Sequence, residues 1–512
     1  MAVTVDIENL VEQLAERVDA LERENRILRE ENSILKRGLF GRGPERIDAG
    51  QLALWSPGEA PAPPPSEDDA PVRTRETKTK KAGHGRAPFA ADLPREVIEL
   101  DLAEDQRVCD CGRPLCRIGE EVTERGHLVP ARIVVRRYVR PKYACPDGHT
   151  VKTAPLPDGV IDGGKYEASV YAHVAASKYA DHLPLHRLEG IFKRRGLALS
   201  KQTMWDMLVR VDELVAQPVL GQTWRELLAE GVLHSDETPV TMCLEEGKGS
   251  RTGYAWGWRN LRGAGPPKVL IDFRQSRSRD GPLAFLKDWS GTLIADGYSG
   301  FDEVVARNGI VRAGCWAHAR RKLKEALDTG SREAARVLVH VQRLFAVERA
   351  ITQRAQRLEL NFDGLVELRR QVRGRHAEKL LERIYAEAQA LSRARSTLPK
   401  SKLGKALSYL DGQRGPLSVF AGDPRLPIHN NDSERDLRHV AVGRKNWLIF
   451  ASPRGGEVAC RLYSLVLSCK QSGVDPEAYI EDVLGAVSTT PASRIAELTP
   501  WAWAARRSAG SR

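Results

Sequence analysis

Apolar residues recur every seven positions along the first predicted helix, residues 5–40. One set of heptad positions holds Ile7, Leu14, Leu21, Leu28 and Leu35, and the alternate set holds Val11, Val18, Asn25 and Asn32. Buried asparagines at such positions favour two parallel helices in one register. The pattern predicts a dimerising coiled coil over residues 1–40. A single amphipathic helix packed on its own domain is the alternative.

Residues 41–95 lose this periodicity. The segment begins proline-rich and acidic, APAPPPSEDDAP, and continues basic, RTRETKTKKAGHGR. A stretch with so few apolar residues cannot bury enough surface to fold. It predicts a disordered linker, whose basic half either contacts phosphates or is simply solvated.

Helical periodicity returns in residues 166–216, which predict three helices within a helical region at 161–225. The last helix begins after Ser200, a residue type that favours the N-cap position. The short turn GLALS before it resembles that of a helix-turn-helix, whose last helix enters a major groove. The segment predicts a helical DNA-binding region, and a plain helical subdomain is the alternative.

From residue 231 the pattern changes to that of strands. The runs GVLHSDETPVTM, GYAWGWRN and PKVLIDFRQS predict three strands. A helix follows, then a fourth strand, GTLIADGY, a second helix, and a fifth strand, IVRAGCWAH. This order predicts a mixed α/β sheet with helices on its faces. We expect a core of residues 226–328 and 401–460, a helical insertion at 329–400 and a C-terminal helical segment at 461–512.

Length, net charge and the length of the apolar runs indicate which classes of protein fit this sequence. The chain has 512 residues and a net charge of +11, which favours an anionic partner, such as nucleic acid or an anionic membrane, over a generic basic surface. No apolar run reaches the ~18 residues that a membrane span needs, and the N-terminus is not of the signal-peptide type. We expect a cytoplasmic, nucleoid-associated protein without membrane contact.

Cysteines are few but clustered. Eight in 512 residues are too few for a disulfide scaffold, and four of them lie between residues 109 and 145. Residues 96–160 therefore predict a zinc-ribbon-like module, since tetrahedral zinc needs four N or S donors from two turns. The predicted ligands are Cys109, Cys111, Cys145 and His149, with Cys116 as the alternative to either of the first two. A ribbon that has lost its metal is the other interpretation.

Three carboxylates are candidates for phosphodiester chemistry. Asp236 ends the first predicted strand, Asp296 ends the fourth, and Glu434 lies on a helix that follows HNND. In a ribonuclease-H-like order the first and fourth strands are neighbours, so both aspartates lie at one edge of the site. Two Mg²⁺ ions held by this set activate a water or a 3′-hydroxyl and stabilise the leaving oxygen. Individually, each residue could instead serve as a turn cap, an Asp-Gly turn or an i,i+4 ion pair.

The chain resembles the DDE transposases of the bacterial insertion-sequence-66 family over nearly its whole length. The resemblance rests on RPKYACPDGH, SKYADHLPLHRLEGIF, SDETPV, ADGYSGF, CWAHARRK, NNDSERDLR, GRKNW and YSLVLSCKQSGVDP. It implies that Asp236, Asp296 and Glu434 take the catalytic DDE positions, and that the insertion is the one such cores carry. The Cys cluster departs from the family's paired CxxC pattern.

Further residues near these motifs are predicted to assist. Arg320, Arg321, Arg444 and Lys445 are candidate DNA contacts. His318 is predicted either to support a carboxylate or to contact a phosphate, or to be structural. Asn431 and Arg435 are predicted to orient Glu434. Trp447 could stack on a displaced base, although core packing is the favoured alternative.

These observations predict a DNA transposase that cleaves and joins element ends with two Mg²⁺ ions, or Mn²⁺ in their place, and a structural Zn²⁺. The expected partners are the terminal repeats, target DNA, a second copy of the chain through residues 5–40, and accessory proteins of the same element. Two alternatives stay open: a catalytically inactive, transposase-derived DNA-binding protein, and a ribonuclease-H-like nuclease that never joins ends.

Overall fold

The structure is a computed structural model, and it describes residues 133–144, 151–154, 159–160, 164–244 and 249–510. The predicted coiled coil, the linker and the metal-ligand candidates Cys109, Cys111, Cys116, Cys145 and His149 lie outside the described residues. Within the described part of the chain, no helix is long and apolar enough to cross a membrane.

A short antiparallel hairpin, β1 (Lys142–Ala144) and β2 (Val151–Thr153), precedes four helices. The helices are α1 (Ala168–Tyr179), α2 (Leu185–Arg194), α3 (Lys201–Val211) and α4 (Gln217–Leu228), and a π-helical turn joins the last two. The predicted N-cap is confirmed, because Ser200 Oγ accepts a hydrogen bond from the Thr203 amide at 3.1 Å.

The central sheet contains six strands. They are β3 (Val232–Cys243), β4 (Ser250–Asn260), β5 (Val269–Arg274), β6 (Thr292–Ile294), β7 (Val311–Ala313) and β8 (Ile449–Phe450). Their order is β5-β4-β3-β6-β7, and β8 pairs with the far end of β3. Strand β3 pairs in parallel with β6 and β8, and β6 pairs in parallel with β7, whereas β4 is antiparallel to both β3 and β5. The predicted mixed α/β sheet is confirmed.

Helices connect and cover these strands. The sheet connections carry α5 (Asp280–Leu286) and α6 (Asp302–Asn308). After β7 come α7 (Trp316–Asp328), α8 (Ala334–Arg357), α9 (Phe362–Arg393), α10 (Lys402–Gly412) and α11 (Arg414–Gly422). The chain returns to the sheet with α12 (Asn431–Trp447) and ends with α13 (Pro453–Gln471), α14 (Pro476–Ala486) and α15 (Pro500–Gly510).

The hydrophobic core lies on both faces of the sheet. Successive strand residues point to opposite faces, and Val232 joins one apolar cluster while Leu233 joins the other. The cluster of Leu233 includes α1, α3, α4, α13 and α14. Most residues of the cluster of Val232 lie between Trp316 and Ile428. The segment that packs there is therefore longer than the predicted insertion at 329–400. This second cluster identifies the face on which the helical insertion packs.

Candidate active site

Asp236 and Asp296 lie at matching positions on the insertion face of the sheet. The parallel register pairs Val232 with Thr292 and His234 with Ile294. The ladder ends two residues before Asp236 and Asp296, and the two carboxylates are close enough for the charge of Asp296 to raise the pKa of Asp236. The alternation that turns Val232 and Ile294 toward the insertion turns both aspartates the same way. One prediction is wrong in detail: β3 does not end at Asp236 but continues to Cys243.

Helix α12 brings Glu434 across this face. Asp236 pairs with Gly257 on β4. A Cβ on Gly257 would lie 3.1 Å from Leu437 Cγ and 3.4 Å from Ser433 Oγ, so α12 rests against the backbone at the level of Asp236. Glu434 follows Ser433 in the first turn of this helix. Glycine at residue 257 is thus what permits the close approach.

Substituting Gly257 should therefore impair the site more than the fold. We expect Gly257→Ala to push Leu437 and α12 outward by a few tenths of an ångström and to cost about 1–3 kcal/mol of stability. Any activity that needs Glu434 near Asp236 should fall further than this stability loss explains. Gly374→Ala on α9 is the matched control, since nothing lies within 4 Å of its added Cβ. Equal activity of the two variants would contradict the close-approach role.

Negative charge accumulates around Asp236. Burial raises its pKa to about 8, and the charges of Glu237, Asp296 and Glu434 contribute in the same direction. Burial and Asp296 also raise the pKa of Glu237. Asp236 Oδ1 accepts a hydrogen bond from the Glu237 amide at 3.0 Å, and Asp296 Oδ1 accepts one from the Tyr298 amide at 3.0 Å. A cation that binds among these carboxylates stabilises them, because it compensates their negative charge.

This charge excess predicts an unusual pH dependence of metal-free stability. The pKa of Asp236 is about 8 in the folded chain and has an ordinary value of 3.8, so the folded state keeps a proton that the unfolded state has lost. The free energy of unfolding should be greatest below the ordinary value and fall by up to about 1.4 kcal/mol per pH unit up to about pH 8. Asp236→Asn should flatten this slope in urea unfolding between pH 5 and 8 with EDTA. Identical slopes for both proteins would show that Asp236 does not titrate in this range.

Basic residues of α7 contact Glu434. Its Oε1 accepts a hydrogen bond from Arg321 Nη2 at 3.4 Å and lies 3.8 Å from His318 Nε2. Burial lowers the pKa of His318, although the charges of Asp296 and Glu434 oppose that shift. Two residues predicted from the CWAHARRK motif thus meet the third carboxylate.

Asn430 is buried at the point where three elements of the site meet. Its Oδ1 accepts a hydrogen bond from His234 Nδ1 at 2.8 Å, and its Nδ2 donates to the Ser235 carbonyl at 2.6 Å. Its amide donates to Cys315 Sγ at 3.2 Å. Its carbonyl accepts the amides of Ser433 and Glu434 in the first turn of α12. Asn430 therefore ties the Glu434 turn to the strand of Asp236 and to the start of α7.

A buried ion pair fixes α12 further along. Arg259 Nη1 on β4 donates to Asp436 Oδ2 at 2.9 Å, and both side chains are less than 5% exposed. Gln471 Nε2 donates to the other oxygen of Asp436 at 2.7 Å. Burial raises the pKa of Asp436, and the Arg259 charge opposes that rise. Removing either partner would leave an uncompensated buried charge.

Comparison with known protein families identifies the family to which the chain belongs. Residues 163–458 match the model of the Transposase IS66 family, which is more than half of the chain. The chain belongs to the IS66 transposase family. Three further matches are an IS66 C-terminal element at 464–501, a zinc-finger binding domain of transposase IS66 at 106–147, and Transposase C of IS166 homeodomain at 27–98.

The chain is similar to several proteins of Sinorhizobium fredii (strain NBRC 101917 / NGR234). The chain is 30% identical to uncharacterized protein y4jD, covering 96% of this chain and 98% of the relative. It is 29% identical to uncharacterized protein y4hP, covering 82% and 77% of the two chains. It is 32% identical to uncharacterized protein y4qI, covering 83% and 78%. The predicted resemblance to the IS66 transposases is confirmed.

The other predicted residues of this IS66 chain have contacts of their own. Arg435 Nη1 donates to Asp432 at 3.2 Å rather than to Glu434, and the buried amide is that of Asn430, not Asn431. Arg320 lies over the Phe345 ring at 5.3 Å. Arg444 Nη1 donates to Thr238 Oγ1 at 3.2 Å and to the Pro239 carbonyl, and Lys445 is exposed.

Trp447 is half-buried and packs against the core, in line with the favoured alternative. Its ring stacks on Phe450 with centroids 4.7 Å apart, and its Nε1 donates to the Tyr463 hydroxyl at 3.2 Å. A Cβ on Gly443 would lie 1.9 Å from that hydroxyl, so α12 needs glycine there. The indole is therefore held by α12 and α13.

Three residues of the site were not predicted. Glu237 directly follows Asp236, and its side chain is only 5% exposed. Asn430 precedes the predicted Asn431, and the HNND run was the signal for it. Arg277 pairs with Glu237, but nothing distinguishes it from the other arginines of the RQSRSRD loop.

Proposed function

We propose that this chain cleaves and joins DNA at the ends of an insertion sequence, with Asp236, Asp296 and Glu434 as its catalytic carboxylates. The observation that carries the proposal is that Asp236 and Asp296 each follow a residue pair of the β3–β6 ladder by two positions, and that the charges of Asp296 and Glu434 both raise the pKa of Asp236. Family membership supports transposition as the overall reaction and DNA as the partner.

We further propose a ribonuclease-H-like core. The strand order β5-β4-β3-β6-β7, with only β4 antiparallel to the others, supports it. So does the return of the chain to the sheet through α12 after a long helical insertion. In such a core the two aspartates belong to adjacent strands and the glutamate to a later helix, which is the distribution found here.

The donor set is suited to Mg²⁺, which prefers carboxylate oxygens together with water and substrate phosphate. The burial and mutual repulsion that raise the pKa of Asp236 are the conditions that a divalent cation relieves. Within the described residues, no three such side chains converge at ligand distance. We propose that Glu434, which Arg321 holds at 3.4 Å, completes the set when DNA binds.

The chain's own residues then have distinct roles. Mg²⁺, when held by Asp236, Asp296 and Glu434, would lower the pKa of an attacking water or 3′-hydroxyl and would stabilise the leaving oxygen. Asp236 and Asp296 would bind the Mg²⁺ from the sheet, and Glu434 would add a third carboxylate from α12. His318 and Arg321 position the Glu434 carboxylate. Asn430 positions the turn that carries it.

Other parts of the chain supply DNA binding and assembly in this proposal. The zinc-finger match at 106–147 includes Cys109, Cys111, Cys116 and Cys145, which supports a structural zinc, and it ends before His149. We propose that this module and α1–α4 read the element ends. Arg320, Arg444 and Lys445 would add salt-sensitive contacts to phosphates. Two copies joined through residues 5–40 would hold two ends together.

The test is strand transfer with the full chain, Mg²⁺, a labelled duplex carrying the element's terminal repeat, and a plasmid target. We expect nicking at the repeat boundary and covalent joining of the 3′-hydroxyl to target DNA. Cleavage without joining would replace the proposal by a nuclease. Binding without cleavage, in the presence of the element's accessory proteins, would replace it by a DNA-binding role.

A further inference from the structure

Arg277 lies between β5 and α5 and contacts Glu237 and Tyr298, two residues close in sequence to the candidate aspartates. Its Nε donates to Glu237 Oε1 at 2.7 Å, and its Nη2 donates to the same oxygen. Its guanidinium carbon lies 4.0 Å from the centroid of the Tyr298 ring, and the Tyr298 hydroxyl donates to the Arg277 carbonyl. Glu237 follows Asp236, and Tyr298 lies two residues after Asp296, so the guanidinium is fixed beside both aspartates.

The held guanidinium still faces solvent. The Arg277 side chain is 41% exposed, whereas the Glu237 side chain that anchors it is 5% exposed. A guanidinium carries five N–H donors in one plane. Nε and Nη2 use Glu237, and within the described residues Nη1 donates to no protein group. The arrangement aims unused donors outward from the carboxylate cluster.

A structural ion pair would not need this geometry. Burying Glu237 takes a charge out of water, and its Oε2 has no hydrogen-bond partner among the described residues. The ion pair with Glu237 and the contact with the Tyr298 ring hold the exposed Arg277 guanidinium in a single orientation. Preorganisation of this kind strengthens ligand binding, because fewer rotamers are lost on contact.

We propose that Arg277 binds a backbone phosphate of the DNA that lies across Asp236 and Asp296. The proposal rests on the proposed function, which brings DNA to these residues. A guanidinium fork matches two oxygens of a phosphate. DNA that approaches four clustered carboxylates meets repulsion there, and Arg277 supplies a fixed positive charge at that point. The phosphate belongs either to the element end or to the target strand.

The test compares Arg277→Ala with Arg279→Ala. Arg279 lies two residues further on, is 67% exposed and pairs with Glu303, so both variants remove one charge from the same segment. We expect the salt dependence of binding to a terminal-repeat duplex, measured in EDTA, to lose about 0.9 in slope for Arg277→Ala, and affinity to fall about 10- to 100-fold. Arg279→Ala should keep the wild-type slope within error.

Arg277→Lys separates the fork from the charge. Lysine keeps the charge but not the planar pair of donors, so we expect the wild-type slope with reduced cleavage. If Arg277→Ala lowers the melting temperature, this variant still tests the proposal. Full wild-type cleavage and joining by Arg277→Lys would overturn the role of the planar guanidinium. Equal slopes for both alanine variants on the terminal-repeat duplex and on a target duplex would overturn the contact.

Two reaction arms identify the phosphate. If it belongs to the element end, Arg277→Ala is defective in end binding and in cleavage. If it belongs to the target, end binding and cleavage are normal, and a pre-cleaved end joins to target DNA about tenfold more slowly, with the slope change appearing on a target duplex. A wild-type slope on both duplexes overturns the proposal. Inactive wild-type protein would refute the proposed function, whereas the metal-free slopes would still decide the role of Arg277.

Discussion

Asp236→Asn, Asp296→Asn and Glu434→Gln should each abolish DNA cleavage and joining while leaving DNA binding intact. Each change removes one metal-binding charge and nearly keeps the side-chain shape. Loss of several kcal/mol of transition-state stabilisation corresponds to a rate loss of about 10³-fold or more. The measurement is single-turnover cleavage and joining of a terminal-repeat duplex, with duplex affinity measured in parallel.

The matched control for these variants is Asp288→Asn. Asp288 is 96% exposed and lies 4.0 Å from Arg307, away from the carboxylate cluster, so the same chemical change should leave activity unaltered. The pKa of Asp236 adds a second signature, since its neutral replacement should raise metal-free stability at pH 8. A site variant that retains activity would remove that residue from the catalytic set. A loss of DNA affinity equal to the loss of rate would assign it to binding instead.

Asn430→Ala should lower both stability and activity, and activity by more. Truncation leaves His234 Nδ1–H and the Ser235 carbonyl without their partners in a fully buried place. Each such group costs about 1–3 kcal/mol, so the free energy of unfolding should fall by about 2–6 kcal/mol. Because the same side chain ties the Glu434 turn to β3, cleavage should fall even at temperatures where the variant is fully folded.

Two comparisons make the Asn430 prediction specific. Asn431→Ala, one residue on, should cost far less stability, because the buried bonds are those of Asn430. A double-mutant cycle between Asn430 and His234 should show coupling of about 1 kcal/mol, since the two side chains share one hydrogen bond. Additive losses, or activity that merely follows the folded fraction, would leave Asn430 a structural residue without a positioning role.

The predicted strands and helices of the core were largely correct because their signals are local. The run GVLHSDETPVTM became β3, and Ser200 capped α3 as its residue type predicts. Alternation cannot show where pairing stops, however. Asp236 therefore looked like a strand end, whereas β3 continues past it to pair with β8. The motif-rich stretches also pointed to the candidate carboxylates, since acids after buried runs are rare without a reason.

Contacts between distant segments were not predictable in the same way. Asn430 and His234 are 196 positions apart, and Arg277 and Glu237 are 40 apart. Which of two neighbouring asparagines is buried depends on how α12 enters the sheet. That entry depends on a glycine at residue 257 of another strand.

The sequence by itself determined the family, the mixed α/β class and the three candidate carboxylates, because these reside in short motifs and local periodicity. The tertiary structure alone decided which face Asp236 and Asp296 share, since a one-residue change of register would turn either side chain away. It also decided that Asn430 ties Glu434 to β3 and that Glu237 and Tyr298 orient Arg277. Hydrogen bonds and charges between remote segments exist only once the sheet and α12 are packed together.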